Sequence, residues 1–213
     1  EYNAKPFESA LAEHIAAHGW FYSQNSVGYD RQRALFPDDV ISWLEDTQAD
    51  ELAKVVKPTD TPESQGKAKL QLLDRLAKAL DRPLDSKGGT LSILRQGFQD
   101  VPRKFRMAQF QPADNLNPAT TADYSKMRLR VMRQVFYSAT SNKSIDLVLF
   151  VNGLPVATVE LKTDFTQSVQ EAITQYRTDR QPKGEPLLSL GTRALVHFAV
   201  SNSEVWMTTR LAG

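Results

Sequence analysis

The sequence contains no cysteine. That excludes a disulfide framework, a zinc–thiolate site and a thiol nucleophile together. Histidine is nearly as scarce. His14, His18 and His197 are the whole set, and none has metal-ligand spacing such as HExxH. They read as two residues on a helix stripe and one on a strand. Any metal must therefore be a hard cation held by carboxylates and carbonyls, magnesium being the usual choice. No apolar run approaches the roughly 18 residues of a membrane span, and no secretory leader precedes the first helix, so a soluble, cytoplasmic protein is expected. No GxxxxGK[ST] phosphate loop occurs, which excludes that kind of nucleotide-driven motor from this stretch. The first residue is Glu1, and the chain reads as a fragment of a longer polypeptide.

What is present is enough for a real core. The 213 residues are 41% apolar, which suits one domain, 1–213. The formal net charge of +1 is unevenly distributed. Residues 1–92 carry 11 basic against 15 acidic groups, residues 93–133 carry 8 against 3, and the rest carry 7 of each. Arg95, Arg103, Lys104, Arg106, Lys126, Arg128, Arg130 and Arg133 form that middle belt. Such a belt neutralises phosphates or is an ordinary solvated surface.

Periodicity predicts a first helix from about Pro6 to His18, stopped by Gly19. On a helical wheel Phe7, Leu11, Ile15 and His18 share a stripe, with Glu8 at its edge and Glu13 pointing to solvent. One or two helices are expected over residues 38–56, with Asp38 or Asp39 as cap. Another should run from Thr61-Pro62 to Leu80. Residues 84–125 are punctuated by glycine and proline, and Asn115 to Asp123 reads as a loop. A helical embellishment over about 38–120 thus separates the first helix from a core at 126–211. From Lys126 the texture is that of strands. Arg128 to Tyr137 carries Leu129, Val131 and Val135 on one parity. Residues 145–151 form a nearly continuous apolar strand, Asn152-Gly153 is a hairpin signal, and Leu154 to Lys162 return. A helix from about Ser168 to Arg180 has capping-box spacing, Ser168 with Glu171. Strands at about Ala194–Ser201 and Val205–Thr209 close the chain. The fold class is α/β, a mixed central sheet flanked by helices.

Three charged groups collect at the ends of two buried strands. Asp146 interrupts an apolar run, and Glu160-Leu161-Lys162 ends its partner. Buried charges must be paired or bound to a metal. Alternation puts Glu160 and Lys162 on one face. A two-residue Asn152-Gly153 turn pairs Val151 with Leu154 and sets Asp146 opposite Val159, leaving Glu160 on the wrong side. Convergence of Asp146 and Glu160 therefore demands an odd connection or a bulge.

The pattern resembles the D…ExK signature of the PD-(D/E)xK nucleases. The run DLVLFVNGLPVATVELK, Asp146 to Lys162, is similar to the nuclease segment of type I restriction subunits, where an LFVNGLP hairpin precedes ELK. The stretches QEAITQYR from Gln170 and HFAVSN from His197 resemble the same family. This resemblance covers residues 126–211. It implies a restriction-endonuclease-like αβββαβ core and a Mg2+-dependent DNA endonuclease domain. It further implies Mg2+ held by Asp146, Glu160 and the carbonyl of Leu161, with Lys162 near the attacked phosphodiester. Glu8 is similar in position to a helical glutamate that some relatives add to the metal shell. Relatives often carry Gln and Tyr four apart on the second helix, whereas Gln175 and Tyr176 are adjacent here. Those two, with Arg128 and Arg130, are the candidate contacts to double-stranded DNA. The implied parent enzyme works with modification and specificity subunits and requires ATP, which this stretch would not bind. A stand-alone nuclease of the same fold, or a non-cutting DNA-binding module, remains an alternative.

Overall fold

The computed structural model describes residues 4–163 and 168–211. The chain opens with α1 (Ala4–Ala17) and a short strand, β1 (Phe21–Ser23). Helices α2 (Pro37–Thr47), α3 (Ala49–Ala53) and α4 (Pro62–Leu80) follow, then a 3-10 turn at Leu84–Ser86 and α5 (Gly89–Gln96). A small hairpin of β2 (Phe98–Asp100) and β3 (Arg103–Phe105) precedes α6 (Pro118–Ser125). The core then runs β4 (Leu129–Phe136), β5 (Ser144–Val151), β6 (Leu154–Leu161), α7 (Val169–Thr178), β7 (Val196–Val200) and β8 (Val205–Thr208).

Six strands make one sheet in the order β1-β4-β5-β6-β7-β8. The β1–β4 and β6–β7 pairs are parallel and the others antiparallel, so the sheet is mixed. Helix α1 lies across β4, β5 and β6, where Ala12 packs with Val131, Leu147, Val159 and Leu161. Helix α7 covers the other face, Val169 and Ala172 packing on Ala199. Side chains alternate along each strand, so Val159 and Leu161 serve α1 while Thr158 turns to α7 and bonds the Tyr176 hydroxyl at 2.8 Å. The helices before the core bury Trp43, Leu44, Leu72, Leu76, Leu80 and Ile93 with Phe98 and Phe105. Leu154, at the tip of the β5–β6 hairpin, joins them.

Several expectations are corrected. The embellishment is not purely helical, because it contains the β2–β3 hairpin. Residues expected as a loop near Asp123 form α6, whose first turn Asn117 caps by accepting from Ala119 N and Thr120 N. Strand β1 carries no pattern of its own, three residues being too short to show one. Asp38 and Asp39 do not cap α2: Phe36 precedes it with no side-chain cap, and Asp39 is buried against two arginines. Ser168 takes the N-cap position of α7 without a side-chain cap bond. His18 and His14 are both exposed, off the apolar stripe. Within β4 the alternation breaks at Gln134, whose φ is +47°. Val131 packs under α1, but Val135 packs in the opposite cluster with Tyr137 and Ile145.

Candidate active site

The β5–β6 hairpin decides whether the acidic groups meet. Its turn is the two-residue form: Val151 pairs with Leu154, and Asn152 and Gly153 have φ of 47° and 81°. The Asn152 side chain accepts from Arg128 N at 2.7 Å and donates to Met107 O at 2.9 Å, fixing the tip. That turn alone would misalign Asp146 and Glu160. The register shifts between Leu149 and Phe150, with Phe150 opposite Pro155 and Leu149 opposite Ala157. Val156 is thus an extra, bulged residue. Beyond it Leu147 pairs with Val159, and one step further Asp146 faces Glu160. The demanded bulge is present, and it supplies the parity that the turn does not.

Asp146 Oδ2 accepts from Leu161 N at 2.7 Å, a side-chain bond where the ladder ends. In an extended chain the N–H and C=O of one residue point the same way, so the Leu161 carbonyl lies on the Asp146 side too. Asp146 Oδ1 accepts from Gln134 Nε2 at 3.2 Å. Glu160 is 1% exposed and its Oε1 accepts from Arg180 Nε at 2.6 Å. Its carboxyl is also hydrogen-bonded to that of Asp146. Burial, then the Asp146 charge, push the Glu160 carboxyl up to about 8, against an opposing pull from Arg180. Lys162 comes immediately after the end of β6. Its backbone N donates to Val200 O at 2.9 Å, and no described residue bonds its ammonium.

Glu8 is 3% exposed and comes to the same place from α1. Arg133 Nε donates to its Oε1 at 2.8 Å and Gln134 Nε2 to its Oε2 at 3.0 Å. One amide nitrogen therefore joins Glu8 to Asp146. The left-handed backbone of Gln134 lets this side chain leave the alternation; such conformations cost about 1–3 kcal/mol and collect at functional sites. Glu13 is exposed.

These groups suit a hard cation. Every ligand atom that could face one is an oxygen, and burial with the neighbouring Asp146 charge favours a proton on Glu160 despite Arg180. Among the described residues no three acids or histidines gather into a metal-binding group. Glu8, held by Arg133, stands one hydrogen-bonded amide away. The oxygens that could hold such an ion are those of the Asp146 and Glu160 carboxyls and the Leu161 carbonyl, a ligand chemistry that suits magnesium.

The expected DNA contacts fare differently. Arg128 and Arg130 both turn inward onto Asp39, which is 1% exposed, at 3.1 Å and 2.7 Å. Arg130 also lies over the Phe36 ring at 4.6 Å, and both guanidiniums lie over Phe21. Tyr176 is not at a surface: it is buried, and its hydroxyl meets Thr158 Oγ1, which also bonds His197 Nδ1 at 2.7 Å. Tyr176 belongs to the core, as its place on the Val169–Ile173 stripe allowed. Gln175 is partly buried, and its Oε1 has no hydrogen-bond partner among the described residues. Gln134 and Arg180 were not singled out from the sequence, and Arg133 was counted only among the basic belt. Gln134 could have been found by counting the β4–β5 register, which sets it opposite Asp146. Nothing local marks Arg180.

A comparison with curated proteins gives no significant match. A family model described as "Type I restriction enzyme R protein N terminus" matches residues 7–213, nearly the whole chain. The match includes α1 and the helices before the core as well as the D…ExK hairpin. The chain therefore belongs to the family of type I restriction enzyme R protein N termini.

Proposed function

We propose that this region is the Mg2+-dependent endonuclease domain of a cytoplasmic type I restriction enzyme, hydrolysing phosphodiester bonds of double-stranded DNA. The observation that carries the reading is the Val156 bulge, which sets Asp146 opposite Glu160 with Lys162 two residues on. A bulge that re-aims a side chain beside an active site is a recurrent device. The parent enzyme would add an ATP-driven motor, and its modification and specificity subunits would be this region's partners along with DNA.

Asp146, Glu160 and the Leu161 carbonyl would hold the ion. Such an ion would supply Lewis-acid polarisation of a phosphate oxygen and a more acidic water. Holding a cation there would require the charged form of Glu160, so binding would release its proton below about pH 8. Lys162, whose ammonium no described residue binds, stands ready to offset charge developing on the scissile phosphate.

The test uses the full-length enzyme assembled with its partner subunits and ATP, acting on supercoiled plasmid. Wild type should linearise the plasmid with Mg2+ and not with EDTA. Asp146→Ala and Glu160→Ala should abolish cleavage and weaken Mg2+ binding. Lys162→Ala should abolish cleavage and leave metal binding intact. Cleavage by Asp146→Ala or Lys162→Ala at the wild-type rate would remove the nuclease assignment from this site.

A further inference from the structure

We infer that Arg180 is a positioning residue that sets the separation of the two carboxyl-bearing strands and decides which oxygen of Glu160 is left for the cation. The inference rests on the metal-binding reading of the site and concerns a side chain that reading does not use.

Arg180 follows α7, and its backbone N closes the helix by donating to Gln175 O at 3.0 Å. Its guanidinium then spans two strands. Nε donates to Glu160 Oε1 on β6 at 2.6 Å, and Nη2 donates to Ser144 O on β5 at 2.9 Å. Ser144 lies two residues before Asp146 on the same strand. The last ladder pair of β5 and β6 is Leu147 with Val159. Beyond it no further ladder pair joins the two strands among the described residues; the Asp146 Oδ2–Leu161 N bond links them directly, and the Arg180 fork is a second brace between them at the level of the acidic pair. Ser144 is tied in further, because its Oγ donates to Gln134 Oε1 at 3.2 Å. Gln134 in turn holds Asp146. Each carboxyl thus has its own polar arm, Gln134 for Asp146 and Arg180 for Glu160.

The brace is built in. Arg180 is 9% exposed, and its guanidinium sits over the Tyr137 ring at 5.9 Å. With Oε1 of Glu160 taken by Nε, Oε2 is the oxygen left for Asp146 or for an ion. A planar fork suits two acceptors on different strands, where a lysine ammonium would serve as a point charge.

Charge and position predict opposite outcomes, which makes the inference testable. Removing a cation beside two carboxylates should tighten metal binding if Arg180 acts only through its charge. If it positions Glu160, removal should weaken binding by about 10–100-fold, the usual cost of losing a partner of a metal ligand. The probe is Mn2+ titrated calorimetrically into this chain, at a temperature where melting curves show each variant folded. Arg180→Ala, Arg180→Gln and Arg180→Lys should all bind Mn2+ at least about tenfold more weakly than wild type, Lys included although it keeps the charge. Should the alanine variant not fold, the glutamine and lysine variants carry the test, since each can still reach one acceptor. Unchanged or tighter Mn2+ binding, or full rescue by lysine, overturns the inference and leaves the metal site standing. A wild-type chain that binds no Mn2+, or an Asp146→Ala variant that binds it like wild type, overturns the site itself and the brace with it.

Discussion

Glu160 is a carboxyl held at about 8 by burial and by Asp146, so the metal-free protein carries a proton there at neutral pH. The apparent value belongs to the Asp146–Glu160 pair, as for any two carboxyls that share a proton. The folded state binds this proton more tightly than the unfolded chain, whose glutamate titrates near 4.5. The stability it contributes is therefore full below that value and is lost as pH rises through about 8. His197 behaves oppositely. Burial holds it down to about 4, so it costs stability only as pH falls below its ordinary 6.5. Between about 6.5 and 8 the Glu160 effect stands alone. In EDTA, urea denaturation should show stability falling with pH across that window, with a slope of at most about 1.4 kcal/mol per pH unit for one proton. Glu160→Gln should flatten the slope, and a variant that keeps the wild-type slope would mean another group titrates there. Asp146, Glu160 and Lys162 were legible from the sequence because a charge inside an apolar strand is conspicuous. Arg180 was not, since nothing near residue 180 reveals that a helix end will arrive over two strand ends.

The bulge is the element on which the site turns, and it supports a paired prediction. Val156 is the unmatched residue of β6. Deleting it restores a regular hairpin while Leu149 still meets Ala157 and Leu147 still meets Val159, so Asp146 stays opposite Glu160. The deletion should keep metal binding and cost about 1 kcal/mol of apolar contact, since Val156 is only partly buried against the helical cluster. Deleting Leu149 instead shortens β5, moves Asp146 opposite Val159 and reverses the faces of the residues before it. That protein should lose metal binding and much of its stability. Equal behaviour of the two deletions, by melting temperature and Mn2+ titration, would detach the bulge from function. The tip is equally constrained. A Cβ on Gly153 would come within 2.5 Å of Phe36 O at a φ of +81°, so Gly153→Ala should destabilise by roughly 2 kcal/mol or more. Strands β4 to β8, α4 and α7 follow from pattern. The stretch from 84 to 125 does not, because its elements are short and are held by outside partners: Trp43 Nε1 and the Gln48 side chain both reach Arg106.

Across the whole molecule the basic belt of residues 93–133 is largely spent internally. Arg106 pairs with Asp123, Arg128 and Arg130 with Asp39, and Arg133 with Glu8. The Lys126 ammonium donates to Asp46 O. Charge counted along a sequence cannot show this, because Asp39 and Glu8 come from distant helices. Arg95 and Lys104 remain exposed without an ion pair among the described residues, and both line a cleft of about 1170 Å3 that Phe110 also borders. If phosphates meet this segment, these two exposed side chains are available to neutralise them. Each neutralised phosphate contributes about −0.9 to the slope of log affinity against log salt. Replacing Arg95 and Lys104 together with alanine should therefore flatten that slope by about 2, read by fluorescence anisotropy of a labelled duplex. Replacing Arg128 and Arg130 should leave the slope alone. It would strand the Asp39 carboxylate in the interior and cost on the order of 3–5 kcal/mol of stability, visible as an earlier urea midpoint. The reverse result, a flattened slope with unchanged stability for the Arg128 and Arg130 variant, would show that those arginines leave Asp39 for DNA, and the belt would then be a phosphate surface after all.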